Sequence, residues 1–147
     1  MTDREELRAL VDAYATACDS RDGEAFASLF APDATMTIYN PFESEPLATL
    51  AGAESMAGAI APLSQYRATL HLMANHTTEV EGESATGDTY CLAHHLRPAG
   101  DGVEDLVMMI RYGDRYAKAA DGWRFAHRDV RILWTELRPA SADPIPF

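Results

Sequence analysis

The sequence predicts an α+β fold: a strongly curved, mainly antiparallel sheet closed into a cone by N-terminal helices. Three observations predict it. Apolar residues recur at helical spacing through the first third of the chain. Long alternating segments fill the second half and are joined by tight glycine turns. That order, helices and then three or four long strands, is the pattern of helices packed on one face of an antiparallel sheet.

Each element has its own signal. Leu7, Leu10, Val11, Tyr14 and Cys18 form one helical stripe behind Thr2 or Asp3 as possible caps. "SRDG" breaks this first helix. Asp22 is placed as N-cap of a short second helix carrying Phe26, Leu29 and Phe30, which Pro32 and Asp33 end. "ATMTIY", 34–39, alternates and is β-branched, so it reads as a strand, and "NPFESEP" as a loop. "LAGAESMAGAIAPL" holds a third helix with Met56, Ile60 and Leu63 in a row. "TLHLMANHTTEVEG" and "SATGDTYCLAHHLRP" pair as a hairpin. "GVEDLVMMIRYGDRYAKA" is a long strand with a kink near Gly113, "ADGW" a tight turn, and "WRFAHRDVRILWTEL" the last strand. A sheet curved in this way and closed by helices encloses an apolar pocket suited to a small molecule.

Composition sets the outer limits. The chain has 147 residues, 47% of them hydrophobic and 24% charged, which is one globular domain over 1–147. Its core spans about 5–134, and the tail 138–147 is expected to be extended. A formal net charge of −11 repels nucleic acid and anionic membranes. Cys18 and Cys91 are far apart and form no CxxC, so neither a disulfide framework nor a thiolate zinc site is expected. The N-terminus carries charges where a signal peptide needs an apolar core, and no apolar run reaches the length of a membrane span. A cytoplasmic location is the default expectation.

The chemistry-bearing residues point to proton transfer. His71 and His76 are five apart, and His94 and His95 are adjacent on opposite strand faces, so the histidines make no metal cluster. There is no GxSxG and no glycine-rich phosphate loop. Acid–base candidates remain: Asp19, His71, His95, Arg111, Arg128, Tyr14 and Tyr39. Each has a plainer alternative. Asp19 can cap the turn before the second helix, His71 can be a satisfied core histidine, and His95 can face water while His94 packs inward. Arg128 can pair with Asp114 or Asp129, and Tyr14 can be core.

Four motifs in fixed order resemble one family: "YATACDSRDGEAFASLFAPDATM", "LAGAESMAGAI", "HLMAN" from His71 to Asn75, and "DRYAKAADGWRFAHRDV". Over about Glu5 to Trp134 the chain resembles a SnoaL-like member of the nuclear transport factor 2-like superfamily. It is most similar to the branch of scytalone dehydratase, hexachlorocyclohexane dehydrochlorinase and bile-acid dehydratases. The resemblance implies that Asp19 lines the cone and orients His71 as general base, with His95 as acid, Arg128 stabilising negative charge and Tyr14 beside them. It places Thr89, Cys91, Ala93 and His95 on the cavity face. The sequence departs from scytalone dehydratase in carrying Cys18 and Ile38 where that enzyme has tyrosines, and only a one-residue shift recruits Tyr39. Arg111 and Gly113 fall near two further polar positions of that enzyme.

The implied function is a cofactor-independent, metal-independent lyase acting on a small, ring-bearing, mostly apolar substrate. Phe26, Ile38, Met109 and Trp134 are expected to line the pocket with Leu10, Leu29, Met36 and Met56. Tyr39, Arg111 and Cys91 are further substrate contacts. The same dyad would serve an isomerase or polyketide cyclase, and the same pocket a binding protein without turnover; a protein-interaction module is the weakest alternative. A homodimer or homotrimer is expected, because related cones pack sheet against sheet, with Tyr112, Tyr116 and Ile132 at the contact.

Overall fold

A computed structural model describes residues 1–140. The order of elements is α1 (Asp3–Ser20), α2 (Gly23–Ser28), β1 (Phe30–Tyr39), β2 (Ala48–Ala51), α3 (Ala53–Ala59), a 3₁₀ turn (Ala61–Gln65), β3 (Ala68–Glu81), β4 (Ser84–Ala99), β5 (Gly102–Ala119) and β6 (Gly122–Ala140). The strands form one curved sheet in the order β2-β1-β6-β5-β4-β3. All pairs are antiparallel except β1 with β6.

The helices follow from local chemistry. Thr2 caps α1 in a full capping box with Glu5. Asp22 caps α2 by accepting from the Ala25 N–H at 2.9 Å. Leu7, Val11, Tyr14 and Cys18 of α1 are buried against the sheet, as is Phe26 of α2. Tyr14, Phe26, Phe30 and Phe125 form one ring cluster, with centroids 5.0–6.5 Å apart.

Four features differ from the sequence reading. Phe30 opens β1 instead of closing α2, and Pro32 and Asp33 lie in an irregular stretch between the Phe30 and Thr35 pairings. An extended bulge accepts proline as readily as a helix end does. Ala48–Ala51 pairs with β1 as a short edge strand, and the third helix is a seven-residue helix followed by the 3₁₀ turn. β5 runs unbroken through Gly113; the register shifts lie on either side, at Met109/Ile110 and Arg115/Tyr116. The last strand continues through 138–140, and the rest of the expected tail, 141–147, lies outside the described residues.

Register assigns every strand residue to a face. The inner face, under the helices, carries His71, Ala93, Met108 and Thr135 in one cross-strand row. Beside it run Thr69, His95, Leu106 and Leu137 on one side, and Met73, Cys91, Ile110 and Ile132 on the other. Tyr112 and Tyr116 are also inward, 1% and 2% exposed. They and Ile132, which packs on the core, therefore do not form an outer contact. The outer face carries Leu72, Leu92, Met109 and Trp134 in one row. Leu72, Leu92 and Trp134 are 48%, 41% and 48% exposed.

Charge is unevenly shared. Residues 1–66 hold eleven acidic and three basic side chains, whereas 84–140 hold eight of each. The excess negative charge thus sits on the helical half, and strands β4–β6 are neutral. Among the described residues no helix is long and apolar enough to cross a membrane.

Candidate active site

Asp19 is the penultimate residue of α1, and the chain turns immediately after it. Arg21 makes that turn in the left-handed conformation, φ 59°, and its N–H closes the helix on Ala17 and Cys18 carbonyls. Its guanidinium returns to the Asp19 and Cys18 carbonyls, at 2.9 and 3.3 Å, and donates to Thr69 Oγ1 at 2.8 Å. The end of α1 is thereby pinned to the first residues of β3.

Asp19 points across this junction to His71. Its Oδ1 accepts from His71 Nδ1 at 2.7 Å and from the Thr69 hydroxyl at 2.9 Å; its Oδ2 accepts from the His71 backbone N–H at 2.9 Å. Burial pushes the Asp19 carboxyl up. The bonds from the His71 ring and backbone, the charge of His71 and the Thr69 hydroxyl outweigh it, so the carboxyl is held below its usual range. An ionised carboxylate only accepts, so Nδ1 of His71 carries a proton whether or not the ring is charged, and in the neutral ring Nε2 presents its lone pair. Asp19 does not cap α2; Asp22 does.

His95 lies next to His71, ring centroids 5.7 Å apart and nearly perpendicular, with Tyr66 against its other side at 4.8 Å. It is buried, while its neighbour His94 faces outward onto Asp105 at 2.6 Å. His95 Nδ1 donates to the Leu106 carbonyl at 3.1 Å. Burial lowers its pKa, helped by the nearby His71 and opposed by the Leu106 carbonyl. His95 is therefore a neutral imidazole at pH 7, with Nε2 as an acceptor.

The other candidates separate into two groups. Arg128 and Tyr14 lie buried in the core between α1 and the sheet. Arg128 is fully buried, bonds Asp114 through Nε and Nη2 at 2.8 Å each, and is ringed by Tyr14, Tyr112 and Phe125 at 4.1–4.2 Å. Burial favours the neutral guanidine, but Asp114 more than offsets it and keeps Arg128 charged. Tyr116 donates to the same carboxylate at 2.8 Å. Among the described residues no hydrogen bond or ring contact joins Arg128 or Tyr14 to His71. Cys91, Phe26 and Ile38 face inward, and burial pushes the Cys91 thiol up to about 11 and that of Cys18 to about 12.

Four residues expected to line the pocket do not face it. Met109 and Trp134 are on the outer face, because the inward residue of β5 is Met108, opposite Ala93. Arg111 is outward, bound to Asp88 at 2.9 Å and over the Tyr90 ring. Tyr39 is outward beneath the Arg131 guanidinium at 4.0 Å, and Ile38 takes the inner position. A strand position misplaced by one residue changes face, which accounts for Met109 and Tyr39. Thr69, Arg21 and Tyr66 escaped the sequence reading. Thr69 had a signal: it lies two residues before His71 and so shares its face.

Among the described residues no three His, Cys, Asp or Glu side chains gather as a metal site requires.

A family model described as a SnoaL-like domain matches residues 1–129. The chain belongs to the SnoaL-like family. An uncharacterized relative, Rv2910c of Mycobacterium tuberculosis, is 26% identical over 133 residues, 87% of this chain and 84% of that one. Two solved structures share the fold. A scytalone dehydratase-like protein of Novosphingobium aromaticivorans superposes with a TM-score of 0.78 at 20% identity, covering 95% of this chain and 90% of its own. Hexachlorocyclohexane dehydrochlorinase LinA-type3 of Novosphingobium barchaimii superposes at 0.80 and 18% identity, covering 97% and 94%. At these identities the likeness is one of fold, and the chemistry of this SnoaL-like protein rests on its own residues.

Proposed function

We propose that the protein is a cofactor-independent lyase that removes a carbon-bound proton from a small, ring-bearing, mostly apolar substrate. The observation that carries this reading is the 2.7 Å bond from His71 Nδ1 to Asp19 Oδ1 on the inner face of the sheet. It fixes the tautomer that leaves Nε2 as base, and Asp19 stabilises the imidazolium formed. Such a base contributes about 10²–10⁴-fold in rate.

His71 Nε2 takes the proton, the C–H electron pair forms the new double bond, and the leaving hydroxyl departs as water with the proton that His71 returns. His95 is neutral and donates to Leu106, so the leaving group draws its proton from the His71 imidazolium. The same neutral His95 favours a second reading, an isomerase, in which His71 returns the proton to another carbon and no group leaves. The test is mass spectrometry of product from a panel of cyclic hydroxy-ketones. Loss of water that disappears in His71→Gln supports the lyase; product of unchanged mass supports the isomerase. Binding without turnover by any member would leave only a carrier.

We also propose a homodimer or homotrimer joined through the row of Leu72, Leu92, Met109 and Trp134. Leu92, Met109 and Trp134 of this row lie on the neutral strands β4–β6, so copies can meet there with their acidic helical halves held apart.

A further inference from the structure

The outer face of the sheet holds a hollow that plays no part in the acid–base chemistry. It has a volume of about 490 Å³ and is walled by Thr77, Glu79, Thr86, Asp88, Arg115 and Asp129 around Gly113. Register explains its shape. Thr77, Asp88, Gly113 and Asp129 form one cross-strand row, and Glu79, Thr86, Arg115 and His127 form the next. The hollow opens where the first row lacks a side chain.

Nothing in this fold requires glycine at 113. A glycine inside a strand costs roughly 0.5–1 kcal/mol relative to alanine, and it marks a bulge, a bend or the close approach of something else. The register shifts of β5 with β6 lie at Met109/Ile110 and Arg115/Tyr116, not at Gly113. Gly113 is not among the positive-φ glycines. A Cβ there would meet nothing closer than Asp129 Cβ at 3.8 Å. Gly87 is the contrast: a Cβ there would meet the Tyr116 ring at 3.0 Å. What remains for Gly113 is room for a molecule from outside the chain.

The charges around it select that molecule. Asp88 is held by Arg111 at 2.9 Å. Asp129 is held by His127 at 3.0 Å and Arg131 at 3.6 Å, and the other nitrogen of His127 is bonded to Thr35 Oγ1 at 2.6 Å. Glu79 and Arg115 have no hydrogen bond or ion pair among the described residues. They lie in one row with Thr86 between them, two strand spacings or roughly 9–10 Å apart at the backbone. We propose that this hollow binds a small zwitterion of amino-acid to dipeptide size, its carboxylate on Arg115 and its ammonium toward Glu79. The planar guanidinium suits a carboxylate, the Thr77 and Thr86 hydroxyls add hydrogen bonds, and the polar walls disfavour an apolar ligand. Arg115 and Thr86 are open to solvent, so the affinity is in the millimolar range.

The test is an NMR titration of the full ¹⁵N-labelled chain with glycylglycine, using acetate and methylammonium as controls. The expected result is a saturable shift of the Gly113, Arg115 and His127 amides by the dipeptide alone. Glu79→Gln and Arg115→Gln should each weaken it about tenfold. Gly113→Thr should abolish it and raise the thermal midpoint by a few degrees, because a β-branched residue then fills an unstrained strand position. Absence of a saturable shift overturns the proposal, as does wild-type binding by Gly113→Thr. Equal binding of acetate would make this a plain anion site and also overturns it. So would loss of self-association in Gly113→Thr with dipeptide binding intact, which would assign the space to a second copy.

Discussion

His71 is bound to Asp19 twice, through its ring nitrogen at 2.7 Å and its backbone N–H at 2.9 Å. The ring bond sets the tautomer, and the backbone bond fixes where β3 starts relative to the end of α1. One carboxylate therefore joins the reacting group to the frame.

Asp19→Asn should lower kcat by about 10²–10⁴-fold with little change in KM, because an amide no longer holds the imidazolium. The fold should also weaken in a pH-dependent way. A carboxyl held below its usual range stabilises the native state above the unfolded pKa near 3.8 and loses this as pH falls through the lower folded value. Urea unfolding at pH 7 and pH 3 checks this: the gap between wild type and variant should be larger at pH 7.

His76 and His95 predict a second pH effect of the same sign. Burial lowers both below 6.5, with Arg8 adding to the shift at His76 and His71 to that at His95. The unfolded chain then binds more protons than the native one, so stability is present above pH 6.5 and falls as pH drops below it. His95→Gln should flatten the slope of unfolding free energy between pH 7 and 5.5. An unchanged slope would remove His95 from this account.

The Arg128–Asp114 pair is buried on all sides. Removing one partner strands a charge, so Arg128→Met should cost about 3–5 kcal/mol. A double-mutant cycle with Asp114→Asn should show strong coupling, the double variant costing less than the two single costs together. Chemical denaturation measures all four corners.

If copies join through the outer row as proposed, Leu92→Glu should yield monomer without loss of fold, since Leu92 is 41% exposed there. Light scattering and circular dichroism on one sample decide it. The same change at Tyr112, 1% exposed in the core, should instead unfold the chain.

How much of this was legible in the sequence depended on the length of each signal. The 18-residue stripe of α1 and the strands joined by "EGES" and "ADGW" were long enough to carry period and turn chemistry together. β2 is four residues, too short for a period, and its small residues read as helix. Asp19 and His71 stood among the acid–base candidates singly, but their pairing came from the resemblance, since they are fifty-two positions apart and neither period nor spacing joins them. Met109 against Met108 and Tyr39 against Ile38 turned on one residue of register, which alternation fixes only where one face is plainly apolar. Arg21 carried no signal, because a non-glycine left-handed cap is a property of the folded turn.

The division of charge between helices and sheet makes the molecule an electric dipole. In dilute salt it will not tumble indifferently near a charged surface; a cationic resin will hold it by the helical end, with the outer face of the sheet turned toward the solution. Immobilised that way, each copy displays its hydrophobic row and its Gly113 hollow together, oriented without any chemical linker.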